Sequence, residues 1–166
     1  MMGAGLFSFM EVVSMSGFLY GKDAVAILEF LERNGPCSRE VLMFLSMKNK
    51  YRMVDALKKL ETSHYAYRIT LDGVEWWLPQ GYVQQHGRID PALQEMAAWL
   101  AARLEVEGGH LDGEAAVVPS GLRIAVRYDV SHGIIHLGDE QYCRFDDLRN
   151  KEMSLKNCIQ RSGRDP

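Results

Sequence analysis

Three cysteines in 166 residues are too few for a disulfide framework. Cys37, Cys143 and Cys158 show no Cys-x-x-Cys spacing, which leaves no thiolate zinc motif and reads as reduced thiols. Long apolar runs are missing as well. The richest stretch, Leu6 to Tyr20, is interrupted by Glu11 and is short for a membrane span. It has no basic start and no small-residue cleavage site, so it is not a signal peptide. No glycine-rich phosphate loop is present, because Gly108, Gly109 and Gly113 lack the flanking pattern. Positive charge is not in excess: 19 Lys and Arg face 22 Asp and Glu, a net of −3. These absences predict a cytoplasmic protein with no cofactor, no bound metal and no membrane partner.

What is present is a hydrophobic share of 47%, enough to bury a core, and an uneven charge. Met47 to Arg68 holds six basic residues (Lys48, Lys50, Arg52, Lys58, Lys59, Arg68) and two acidic ones, a local net of +4. Pro91 to Pro166 holds nine basic and twelve acidic residues, a net of −3. A chain of this length forms one large domain or two small ones, and the charge split predicts different work for its two halves.

Helix signals open the first half. Asp23 is placed to cap a helix to about Asn34, with Val25, Ile27, Leu28 and Leu31 as its apolar residues. Gly35-Pro36 stops it. Ser38 caps a second helix, Arg39 to about Leu45, with Glu40 in the first turn where the helix dipole favours negative charge. A third helix runs from about Lys48 to Glu61: Met53, Ala56, Leu57 and Leu60 form one face, and Lys48, Arg52, Asp55 and Lys59 another. The period then drops to two. Tyr65 to Leu71 and Val74 to Pro79 flank Asp72-Gly73, a two-residue hairpin signal because both turn positions need positive φ. Of the adjacent Trp76 and Trp77, alternation assigns one to the core and the other to a second domain or a subunit partner.

Three helices followed by a hairpin, with Met53-Val54-Asp55-Ala56-Leu57-Lys58-Lys59-Leu60-Glu61 closing the third helix, resemble the winged helix-turn-helix superfamily. The resemblance covers about a third of the chain. It implies that the third helix enters the major groove of double-stranded DNA, with its N-terminal residues at base edges. Those residues are Lys48, Asn49, Lys50, Tyr51 and Arg52; Asn49 suits adenine, and Arg52 or a lysine suits guanine. The amides at Ser38 and Arg39 are candidates for a phosphate. Arg68 is the strongly basic residue of the hairpin, while Asp72 and Glu75 repel phosphate at its tip.

Gln80 to Asp90 reads as a polar linker. Asp90-Pro91 then starts a helix to about Glu107 with Leu93, Met96, Ala97, Leu100 and Leu104 on one face. Strands are predicted at Ala115–Val118, Leu122–Val130 and Gly133–Leu137, with a turn at Ser131-His132-Gly133. A last helix runs from Phe145-Asp146 into the region of Leu155 to Ile159, and the tail is polar. Val118-Pro119-Ser120-Gly121-Leu122-Arg123-Ile124 is similar to the Pro-Asp-Gly element of the plasmid replication-relaxation type of proteins, which carry an endonuclease-like second unit. Ser120 replaces the Asp, and the later acidic-x-Lys element is missing after Asp129. A metal-dependent nuclease needs those carboxylates and the lysine, so no catalytic residue is assigned. His132 and His136 lack further zinc ligands. Cys143 near His136 reads as a buried structural thiol.

The expected fold class is α+β: an N-terminal winged helix-turn-helix followed by a small α/β domain of a helix, about three strands and a helix. The expected boundaries are a leader or dimerisation helix at 1–21, the DNA-binding unit at 22–80, a linker at 81–90, the second domain at 91–160 and a tail at 161–166. The expected function is a transcriptional or replication regulator of a bacterial mobile element. It would act as a homodimer on duplex DNA, with a protein partner or small ligand at the second domain. The alternatives are a winged-helix protein-protein module and a degenerate endonuclease-like protein.

Overall fold

A computed structural model describes residues 21–46 and 49–163. The chain is mixed α+β and divides into two compact units after Arg88. The leader, Lys48 and the end of the tail lie outside the described residues.

In unit 1 the helices are α1 (Lys22–Asn34), α2 (Arg39–Leu45) and α3 (Lys50–Thr62). The strands are β1 (Cys37–Ser38), β2 (Ala66–Leu71) and β3 (Val74–Pro79). The expected starts of two helices shift. α1 is capped at Gly21, leaving Asp23 in its first turn. α3 begins after Asn49 because the Asn49 carboxamide accepts the amides of Tyr51 and Arg52, at 3.0 and 3.2 Å. Gly35 ends α1 in a positive-φ conformation, its amide bonding Leu31 O at 2.8 Å.

The hairpin follows its turn chemistry: Asp72 and Gly73 sit at φ 49° and 78°, and Leu71 pairs with Val74. β1 adds to the other side of β3, so β3 is the central strand of three. That corrects the assignment of the tryptophans. Trp76 and Trp77 are both buried, at 2% and 3% exposure. Trp76 belongs with Leu78 on one face of β3. Trp77 lies on the other, its indole N–H donating to Glu75 Oε2 at 2.8 Å. Buried residues of α1 (Leu28, Leu31), α2 (Leu42) and α3 (Met53, Leu57, Leu60) supply the helical part of the core.

Unit 1 ends in a feature read from sequence as plain linker. Gly81 and Gly87, at φ 80° and 79°, bracket a five-residue helix, α4 (Tyr82–His86).

Unit 2 starts with α5 (Pro91–Val106), whose cap Asp90 accepts the Leu93 amide and whose first residue is proline. The expected α/β arrangement with about three strands is corrected. Six strands follow in order, each antiparallel to the next: β4 (His110–Asp112), β5 (Ala115–Val117), β6 (Arg123–Asp129), β7 (Ile134–Leu137), β8 (Gln141–Arg144) and β9 (Ile159–Arg161). The bend from α5 into β4 requires glycine at Gly109, because a Cβ there would collide with the carbonyl oxygen of Val117. Met96, Leu100 and Leu104 of α5 pack in one cluster with Val126, Ile135 and Cys143 of the sheet. Ala98, Trp99, Ala101 and Ala102 are buried as well, so α5 is apolar around most of its circumference.

The single last helix of the sequence reading is two short ones, α6 (Phe145–Arg149) and α7 (Leu155–Cys158). The break has a physical cause. Arg103 of α5, 5% exposed, donates from Nε to Leu148 O at 2.9 Å and from Nη1 to Met153 O at 2.7 Å. Its Nη2 reaches Asn150 O at 2.8 Å. The carbonyls at the end of α6 and after it therefore turn toward a guanidinium, not along a helix axis. Arg103→Met keeps the side-chain stem and removes these donors. It is expected to destabilise unit 2 by about 3 kcal/mol, the cost of buried acceptors left unmet. Urea unfolding of the full chain followed by circular dichroism measures this; an unchanged midpoint contradicts the role given to Arg103.

Candidate nucleic-acid interface

The expected recognition surface is the first turn of α3. Lys50, Tyr51 and Arg52 are all exposed there, Tyr51 at 80%. Asn49 is exposed too, but its carbonyl oxygen already holds two backbone amides of α3. That oxygen is the acceptor a bidentate contact to adenine would use, so the cap and the expected base contact compete for it.

Arg52 Nε lies 2.8 Å from Asp23 Oδ2 on α1, with both side chains largely in solvent. Lys59 pairs with Asp55 one turn away on α3 at 3.2 Å. Arg68 of β2 meets Glu61 at 3.1 Å and Glu75 at 3.7 Å. Arg39 meets the same Glu75 at 3.5 Å. Two carboxylates from outside the basic segment, Asp23 and Glu75, thus offset part of its local +4, and Glu75 is shared with Arg39. Glu75 also does not stand free at the hairpin tip as expected: it is joined to two arginines and the Trp77 indole. Lys50 and Lys58 are exposed and have no ion pair among the described residues.

Ser38 was expected to present its amide to a phosphate. It is fully buried, it pairs with Trp76 as part of β1, and its side chain makes no cap bond to α2. The first turn of α2 therefore offers no solvent-facing Ser38 amide. Arg39 remains at the surface. Sequence reasoning missed Asp23 and Glu61 as partners of Arg52 and Arg68. Arg52 and Asp23 are 29 residues apart, and no local spacing signals such a pair.

Other chemistry in the sequence finds no catalytic geometry. Register places His136 opposite Tyr142 and Cys143 opposite Ile135, so His136 and Cys143 occupy opposite faces of the sheet. Burial pushes the Cys143 thiol up to about 12, far from a reactive thiolate. The Cys158 thiol is raised too, chiefly by burial. Ser120 lies exposed in the turn between β5 and β6. Among the described residues no three His, Cys, Asp or Glu side chains gather as metal ligands, and no helix is long and apolar enough to cross a membrane.

At the β6–β7 turn, Asp129, Ser131 and His132 do come together. Ser131 Oγ donates to Asp129 Oδ1 at 2.9 Å, and His132 Nδ1 lies 2.9 Å from Asp129 Oδ2. The Ser131 hydroxyl also reaches that same ring nitrogen, at 3.2 Å. A nucleophile relay needs the hydroxyl and the carboxylate on different nitrogens of the ring, so this is a turn clasp. It lowers the Asp129 pKa from its ordinary 3.8: the Ser131 hydrogen bond is the largest cause, partial desolvation opposes it, and the ring and amide of His132 add to the lowering. A carboxyl depressed in the folded state contributes stability above its unfolded pKa and loses it as pH falls through the folded value. The melting-temperature gap between wild type and Asp129→Asn is therefore expected to be constant at neutral pH and to shrink below about pH 4. A gap that widens in acid contradicts the clasp.

No family model, curated protein or solved structure matches the chain.

Proposed function

We propose that unit 1 is a winged helix-turn-helix that binds duplex DNA, with the first turn of α3 in the major groove and the β2–β3 hairpin as the wing. The observation that carries this reading is the exposed cluster Lys50, Tyr51 and Arg52 at the start of a 13-residue helix, in a unit of three helices and a hairpin. A helix end of that kind reaches base edges. Lys50 is free to meet phosphate. Arg52 is held only by a solvent-exposed pair with Asp23, worth about 0–1 kcal/mol, and exchanges it for a phosphate or a guanine edge. The reading extends to a homodimeric regulator of transcription or replication, since one small reading head gives little specificity alone.

The test is fluorescence anisotropy with a randomised duplex library at two salt concentrations. Wild type is expected to bind and to weaken with salt. Lys50→Ala with Arg52→Ala is expected to weaken binding and to flatten the log–log salt slope by about 1 to 2, the share of Arg52 being reduced by its pair with Asp23. Asp23→Asn, which frees Arg52, is expected to tighten binding by up to about fivefold, the worth of one exposed pair. Absence of duplex binding at low salt overturns the reading.

A second reading, a protein-docking module, draws on the carboxylate pairing of Arg39, Arg52 and Arg68 and on the exposed Tyr51. Tyrosine is favoured at protein interfaces. A protein partner retained at high salt, with no affinity for duplex, selects it.

A further inference from the structure

Unit 2 carries a groove of about 440 Å³ that plays no part in the DNA reading. Its apolar lining comes from Leu104 of α5, Leu155 of α7, Ile159 of β9, and Val118 and Pro119 at the β5–β6 turn. Size and lining match those of small-molecule sites, which are mostly apolar with a few placed polar groups.

The polar groups are Lys156, Arg161, Gln141 and Glu107. Strand register explains how Arg161 comes to be there. Arg161 pairs with Gln141 two residues along from the Ile159–Cys143 pair. Residues two apart share a face of a strand, so Arg161 and Gln141 stand on the same side as the fully buried Cys143. Arg161 thus stands exposed at the mouth of an apolar groove, where its guanidinium is open to an anion. Neither Arg161 nor Lys156 has a carboxylate partner among the described residues. Two cations and one carboxylate leave the lining with a net charge of +1.

We propose that this groove binds a small amphipathic monocarboxylate, its apolar body on Leu104, Leu155 and Ile159 and its carboxylate at Arg161 and Lys156. The guanidinium fork matches a carboxylate in two parallel hydrogen bonds, and the Gln141 amide supplies a further donor. Glu107 disfavours a second negative charge, which selects monoanions over dianions.

The probe is octanoate, titrated below its micelle threshold into the full-length, DNA-free protein and followed by amide NMR shifts and calorimetry. Octylammonium and hexanedioate serve as comparisons. Saturable octanoate binding is expected, with shifts at Val118, Leu155 and Ile159, and both comparison ligands are expected to bind more weakly. Lys156→Glu with Arg161→Glu is expected to weaken octanoate about tenfold, the worth of two partly exposed ion pairs, and to reverse the preference toward octylammonium. Both residues are at the surface, and a matching circular dichroism spectrum checks the fold. No saturable octanoate binding overturns the proposal. So does equal binding of octanoate and octylammonium to wild type, which marks a bare apolar patch. The outcome is independent of DNA affinity.

Discussion

A guanidinium withdrawn from water costs several kcal/mol unless its donors are met, and that constraint organises unit 2. Arg103 arrives from the last turn of α5 already fixed in direction by the helix. The end of α6 and the segment after it must then curl so that the carbonyls of Leu148, Asn150 and Met153 face it. The Cys158 thiol donates to the carbonyl of Asp147 at 3.3 Å and ties α7 to the same junction. Once that junction is set, Leu155 and Cys158 fall into the cluster over the sheet, and β9 leaves α7 directly in register with β8. The groove is a by-product of this arrangement: its α7 and β9 walls stand where the Arg103 junction puts them.

Unit 1 is governed by a different balance. Its core is closed by ordinary apolar burial, and Arg33, Arg39, Arg52, Lys59 and Arg68 are paired with carboxylates of the same unit. The matches are unequal. Glu75 is 25% exposed and is shared among Arg39, Arg68 and the Trp77 indole. Its position on the central strand therefore holds the basic residues of the sheet close to it. Asp23 and Arg52 are an isolated pair open to water, where ion pairs are weak and easily exchanged.

Local chemistry was legible in the sequence. Gly35, Asp72-Gly73 and Asp90-Pro91 each announce a backbone conformation that few other residues serve, and each stands where it was read. The apolar periods of α1, α3 and α5 were equally plain. Four strands were not. β1, β4, β8 and β9 are two to four residues long and lack the apolar runs that mark the equally short β5 and β7, and they exist because neighbouring strands supply their hydrogen bonds. The candidate site was legible only as a list of charged residues. Asn49 can be a reader or a cap from sequence alone, and the two amides that engage it depend on where α3 starts. The partners of Arg52 and Arg103, 29 and 44 or more residues away, are products of folding, invisible to any spacing rule.

This division bears on how a DNA complex of unit 1 would distribute its energy. Moving a paired cation to a phosphate displaces a counterion from the DNA but frees its carboxylate to take one up, so the net ion release is smaller than for a free lysine. In the proposed complex, Lys50 would then dominate the salt dependence, and Arg52 would contribute mainly through its contact once Asp23 lets go. Arg39 and Arg68, held around a half-buried Glu75, would stay with the protein. The affinity of such a surface is concentrated in one turn of one helix. Specificity then has to come from the geometry of that turn and from a second copy placed at a fixed spacing on the duplex, since broad electrostatic attraction across the unit is partly cancelled within it.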